Sequence, residues 1–332
     1  MKKTVLVAAL MACGAGSVMA QSNVTLYGTM DTSIGRGFNQ ETTGLNTNQR
    51  GTSNWGLRGS EDLGGGLKAN FHLESTALET DTGGGGNGFT RQSWLGLSGN
   101  FGSVMLGRTT TPQSRVMGTF DLNGISAVNP YTTLGQAANG GLTGSRQSNQ
   151  VQYATPTFSG FSARIGFGFA EVDSSEKKNW AQIAAQYKAG GLTLGAAVQP
   201  KSTSFQNPAD NDKYRTGYTL GAKYKFDGIA TVSGLYQQDE QKANGKLLGF
   251  GVAVPFGALE VGAQYARIMT EGTPAGAKTA LKGAAAYELF ANYSLSKRTT
   301  LYVIAAGMNE KTKAFRGFER KSSLNLGVTH KF

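Results

Sequence analysis

Cysteine is nearly absent from this 332-residue sequence: Cys13 is the one thiol, and it lies close to the N-terminus. A disulfide framework and thiolate metal sites are thereby excluded. Histidine is almost as scarce. His72 and His330 stand far apart, whereas a metal centre needs clustered ligands and a general base needs a catalytic setting, so neither a metal nor a cofactor is expected and both residues read as structural. His72 alternates with Phe71 and Leu73 and would point inward with Asn70 and Glu74; His330 falls on the outward phase. Nucleophile elbows of the G-x-S-x-G type and phosphate-binding P-loops are missing. Asp81-Thr82-Gly83 spells the aspartic-protease triplet, but such an enzyme needs two paired carboxylates, and here the triplet opens the glycine tract of an exposed loop. The formal net charge is +11, yet the basic residues are spread along the chain, so no nucleic-acid partner is expected. Beyond the first residues no apolar run reaches the roughly 18 residues of a transmembrane helix. Proline is sparse at 7 residues beside 48 glycines, a balance that suits many turns between closely paired strands.

Lys2 and Lys3 precede an apolar stretch from Val5 to Ala12, which fades into Val18-Met19-Ala20. This is the charge, core and small-residue order of an export leader, with cleavage expected after Ala20. A lipobox at Leu10-Met11-Ala12-Cys13 competes, but Met11 fits it poorly and the later site is good. Residues 1–20 are thus read as a signal peptide and 21–332 as one exported domain.

Within that domain the dominant pattern is alternation. Leu324, Leu326, Val328, His330 and Phe332 share one face of an extended segment, and Ser323, Asn325, Gly327, Thr329 and Lys331 the other. The split recurs at Tyr218 to Phe226 and at Phe161 to Phe169. A period of two with one polar side means strands wet on one face, in a soluble sandwich or a membrane barrel. Turn spacing separates the two. Short turn signals fall at 63–66, 99–102, 157–160, 189–191, 227–228, 256–257 and 295–297. Longer polar stretches lie between them near 39–49, 79–88, 112–145, 173–178, 201–213, 239–246, 269–280 and 309–318. Short and long connections in strict turn predict an all-β, 16-stranded antiparallel transmembrane barrel, its turns periplasmic and its loops extracellular. Tyr153, Phe161, Tyr187, Tyr224, Phe226, Phe256, Tyr293 and Phe332 sit beside the short turns, where an aromatic girdle belongs.

At Ser22-Asn23-Val24-Thr25-Leu26-Tyr27-Gly28, at Trp55 to Ala69, at Arg91 to Gly99 and at Leu106-Gly107-Arg108, the sequence resembles the trimeric general porins of Gram-negative bacteria, especially the beta-proteobacterial type. That resemblance implies a homotrimer in which each subunit is a pore for small hydrophilic solutes. It implies a setting of outer-membrane lipid and lipopolysaccharide, a C-terminal Phe332 read by the barrel-assembly machinery, and a third loop, 112–145, that folds inward to narrow the channel.

Taking the apolar phase as outward, Arg58, Arg146 and Arg164 face the lumen, since an Arg facing lipid would cost roughly 2 to 4 kcal/mol. Arg91 and Arg108 match positions of the family's basic wall, although Arg108 shares parity with Leu106 and so requires a bulge or a place beyond the apolar band. Asn54 stands where the family often carries another Arg. On the loop, Asp121 beside Arg115 is the one acid between 112 and 145. The expectation is mild anion preference, with Asp121 facing the arginines and Asn54 weakening the cluster. Two alternatives remain, a substrate-specific channel and a barrel enzyme. Tyr27, Trp180 and Phe290 fall on inward phases but are too scattered to form an aromatic track.

Overall fold

A computed structural model describes residues 23–76, 78, 80, 88–138, 145–169, 179–200, 216–239, 246–270 and 281–332. The leader with Cys13 and Ala20, the Asp81 triplet, and much of the loops expected near 79–88, 173–178, 201–213, 239–246 and 269–280 lie outside those residues.

One antiparallel sheet holds the described chain. Its first strands are β1 (Asn23–Arg36), β2 (Gly44–Thr47), β3 (Asn54–Gly64), β4 (Leu67–Ser75), β5 (Gln92–Gly99), β6 (Gly102–Thr110), β7 (Arg146–Ala154) and β8 (Phe161–Gly168). They continue with β9 (Trp180–Ala189), β10 (Leu192–Gln199), β11 (Gly217–Phe226), β12 (Ala230–Asp239), β13 (Leu247–Phe256), β14 (Leu259–Ile268), β15 (Ala285–Ser294), β16 (Thr299–Met308) and β17 (Ser322–Lys331). Apart from the short β2 these are the sixteen barrel strands, each paired with its neighbours in sequence. The barrel closes where β1 pairs with β17, from Thr29↔Lys331 to Arg36↔Leu324. Phe332 and Gly28 exchange two backbone hydrogen bonds of 3.1 Å at that seam, and the Phe332 ring fills the space a Cβ on Gly28 would need.

The alternation has the sense the sequence suggested. Val24, Leu26, Leu95, Leu97, Leu220, Phe250, Leu289, Leu324 and Leu326 point outward and are exposed, while Gln152, Gln182, Gln237, Gln264 and Asn325 point inward. Phe161 stacks near Tyr187 at 4.4 Å and Tyr224 near Phe226 at 4.5 Å, on the outer surface beside the short turns. His330 is on the outer face, within 2.9 Å of the Thr299 hydroxyl.

Three departures from the sequence reading concern the loops. Residues 44–47, expected within a loop, add β2 to the far end of β1, from Thr32↔Thr47 to Gly35↔Gly44. β1 outruns its pairing with β3, which ends at Thr29↔Asn54, and β2 takes up the edge so exposed. The third loop carries two helices, α1 (Pro112–Phe120) and α2 (Pro130–Ala138). Pro112 and Pro130 stand at their first positions, and the Thr111 hydroxyl and the Asn129 amide oxygen cap them. The last loop carries α3 (Glu310–Arg316), which starts at an Asn309 cap and stops at Gly317 with φ of 66°.

Candidate channel constriction

The third loop folds into the barrel, and the inner wall from β8 to β15 is made to receive it. α1 packs on β8 to β12, and α2 on β12 to β15. Phe120 is fully buried over Gly195 and Gly221, and Tyr131 lies over Gly249; a Cβ at any of these glycines would collide with the ring above it. Val116, Val128 and Leu134 complete an apolar seat with Leu235, Leu247 and Ile268. Around it the wall supplies hydrogen bonds, most of them from amide and hydroxyl side chains. The Gln113 amide donates to Thr219 at 3.0 Å, and the Leu122 backbone N–H donates to Gln264 at 3.0 Å. Glu288, fully buried on β15, accepts from Asn123 and Ser126 at 2.7 Å each and from Gln264 at 3.0 Å. Lys223 donates to the Thr119 carbonyl at 2.5 Å. The first loop joins from the other side, with Arg50 Nε donating to Asn292 at 2.9 Å.

What the loop leaves open is lined by cations. Arg58 on β3 lies 5.0 Å from the centroid of the Tyr27 ring. Arg91, just before β5, pairs with Glu74 at 2.5 Å, and Tyr27 donates to the same carboxylate at 2.7 Å while also bonding His72. Arg164 on β8 donates to Gln152 at 3.3 Å. On the loop side the Arg115 guanidinium donates to Thr109 at 3.2 Å. Arg115, Arg146 and Arg164 share a crevice of about 600 Å³ between α1 and the wall. Enclosure by protein, and then the like charges of Arg164 and Arg146, push the Arg115 guanidinium down to about 10, which still leaves it charged at neutral pH. Arg58, Arg91, Arg115, Arg146 and Arg164 therefore lie around one opening; parity had pointed Arg58, Arg146 and Arg164 inward, the family resemblance had supplied Arg91, and Arg115 joins them from the loop. Asn54 also faces inward, its amide donating to the Thr52 carbonyl at 2.7 Å.

Two sequence expectations fail here. Asp121 does not face the arginines: its carboxylate turns toward β14, accepting from Gln264 at 2.9 Å, from the Asn123 and Ile125 backbone N–H groups and from Asn129. Burial holds this carboxyl above the usual range in spite of those bonds. Its role is to tie the loop between α1 and α2. Arg108 stays on the outward phase opposite Ser93, donating to Thr90 O and Ser148 Oγ. A bulge does occur beside it, between Gly107 and Thr109, but the extra residue lies on β7 and leaves Arg108 where its parity put it. The acid that does meet the basic wall is Glu74. Its parity beside His72 had placed it inward, but nothing in the sequence paired it with Arg91, because the two lie on opposite sides of a long loop. Of the inward aromatics, Trp180 packs on Gly168 and Phe290 on Gly262, both buried, which leaves Tyr27 at the opening.

A closed barrel of this strand number with an inward third loop has a counterpart among known sequences: residues 5–313 match the family model of the Gram-negative porins. The chain belongs to that family. This porin is 35% identical to outer membrane porin protein 32 of Delftia acidovorans, over 99% of its own length and 95% of the relative's. An outer membrane porin protein of Bordetella pertussis is 28% identical over the full length of both chains. Among solved structures, the anion-selective porin from Comamonas acidovorans superposes with a TM-score of 0.75 at 30% identity, covering 94% of this chain and all of that one. The porin thus forms a water-filled channel through the outer membrane with the strands of its barrel; no described helix is long and apolar enough to cross.

Proposed function

We propose that this outer-membrane porin passes small hydrophilic solutes by diffusion with a mild preference for anions. The carrying observation is the grouping of Arg58, Arg91, Arg115, Arg146 and Arg164 around the opening, with Asp121 turned away from it and Glu74 as the carboxylate among them. Glu74 offsets about one of those charges, so positive potential remains. Screening over about 8 Å at physiological salt keeps the preference modest. The anion-selective porin from Comamonas acidovorans, similar over nearly the whole chain, supports the same reading. Reversal potentials across a planar bilayer under a potassium chloride gradient test it: the sign belonging to chloride is expected, and the sign belonging to potassium would overturn it.

The same reading includes export through a leader cleaved after Ala20, recognition of the C-terminal strand at Phe332 by the barrel-assembly machinery, and a homotrimer of separate pores set in lipid and lipopolysaccharide. The exposed apolar outer face, with its aromatic girdle beside the short turns, supports the lipid setting. Conductance steps in multiples of three from the refolded protein would report the trimer.

A further inference from the structure

Below the constriction, on the wall that the third loop leaves bare, the lumen holds a recess of about 420 Å³ between β1 and β6. This is the volume range of small-molecule sites. Beside the Met105 thioether, three kinds of inward side chain line it. Trp94 and His72 meet edge to face at 5.7 Å and supply flat rings; Arg58 supplies a cation; Asn70, Ser98 and Ser103 supply a polar rim. We propose that this recess is a weak site for aromatic monocarboxylates of benzoate size, a solute class that the porin concentrates at the inner end of its passage. The proposal rests on the anion preference argued above.

The chemistry narrows to that class by elimination. Arg58 makes no ion pair among the described residues and is held over the Tyr27 ring, so its guanidinium is placed and uncommitted, as a carboxylate partner must be. Glu74, the nearby acid, is already bound by Arg91 and Tyr27 and does not compete for Arg58. The indole Nε1 is buried with no hydrogen-bond partner among the described residues and is closed to a solute, so Trp94 serves the recess through its ring. A neutral sugar could use the polar rim, where the Asn70 amide already donates to the Ser98 hydroxyl at 2.9 Å, but would leave the Arg58 guanidinium without the anionic partner it is placed to take. Aromatic cations would meet Arg58 and be repelled.

Chloride current through the refolded porin in a planar bilayer tests the site, with sodium benzoate as blocker and sodium cyclohexanecarboxylate, of equal charge and similar bulk, as control. Benzoate is expected to block saturably at a concentration roughly threefold to tenfold lower than the control, the worth of an aromatic contact. Trp94→Leu should bring the two to the same value and Trp94→Phe should keep them apart. The wild-type comparison needs no variant to fold. Equal block by both acids while the reversal potential still reports chloride overturns this site and leaves the anion preference standing. A potassium-type reversal potential overturns that preference and the site with it.

Discussion

The inner surface of this barrel has two halves built from the same alternation and put to opposite uses. From β9 to β15 the inward positions under the loop are mostly small or uncharged: Gly195, Gly221, Gly249, Gln182, Gln264 and Thr219, with Glu288 buried and bonded on three sides and the Lys223 ammonium donating to the Thr119 carbonyl. That half receives the loop. From β1 to β5 the inward positions include Tyr27, Arg58, His72, Glu74 and Trp94; Arg58, His72 and Trp94 line an open recess, and Glu74 is buried between Tyr27 and Arg91 rather than under the loop. A period of two decides which side of a strand is wet; which half of the wet side is covered depends on whether its side chains can accept burial. A guanidinium left under the loop would need a partner, whereas an amide needs only a neighbour.

The comparison breaks most sharply if the covered half loses its seat. Phe120→Ala removes the ring held by Gly195 and Gly221, a change worth about 3 to 5 kcal/mol in a packed core. The barrel's strand pairing does not depend on it, so the variant should still migrate as a folded barrel. Its single-channel conductance and the size limit in liposome swelling should both rise. Unchanged conductance would mean that other contacts hold the loop. Next in size is charge on the open half and its facing crevice. Arg146→Glu with Arg164→Glu replaces two cations by two anions where Arg115 alone would then remain on that side, and the reversal potential should change sign toward cations. At 1 M salt, where screening acts over about 3 Å, the shift should largely vanish.

The covered half and the open half were unequally legible in the sequence. Strand number, turn order, outward faces and the inward direction of Arg58 and Arg164 all follow from local periodicity, which needs only neighbours within one strand. The caps at Thr111, Asn129 and Asn309 were local too, and reading them would have placed three helices inside loops. Contacts between distant segments had no such signal. Glu74 finds Arg91 across 17 positions, and Asp121 finds Gln264 across 143, so parity could put Glu74 on the inner face but could not say which cation it would meet. Asp121 was the reverse case. An acid in a loop reads as exposed, and its burial depends on a wall of amides that lies on other strands. Arg108 shows the remaining limit, because a bulge was foreseeable but which of two paired strands would carry it was not.

Smaller effects sharpen the open half. Arg91→Gln frees Glu74 from its partner and should lower the anion preference, since one cation is lost and one carboxylate is released to the lumen. Glu74→Gln should raise it. Equal shifts in one direction for both variants would show that the pair acts on pore shape rather than on charge.

The smallest expected effect returns to the covered half and to pH. Asp121 has its carboxyl raised by burial in the docked loop, so docking favours the protonated form. A raised folded value contributes stability that is complete below the ordinary aspartate value of about 3.9 and is lost as pH rises through the folded one. The loop should therefore hold slightly tighter in acid, and open-channel current noise should increase modestly as pH is brought from acid toward neutral. Asp121→Asn keeps an oxygen to accept from the Asn123 and Ile125 backbone N–H groups but cannot ionise, so its noise should be flat over the same range. A wild-type profile as flat as that of the variant would remove Asp121 from any part in holding the loop through its charge, leaving Phe120, Tyr131 and the Glu288 bonds to do it.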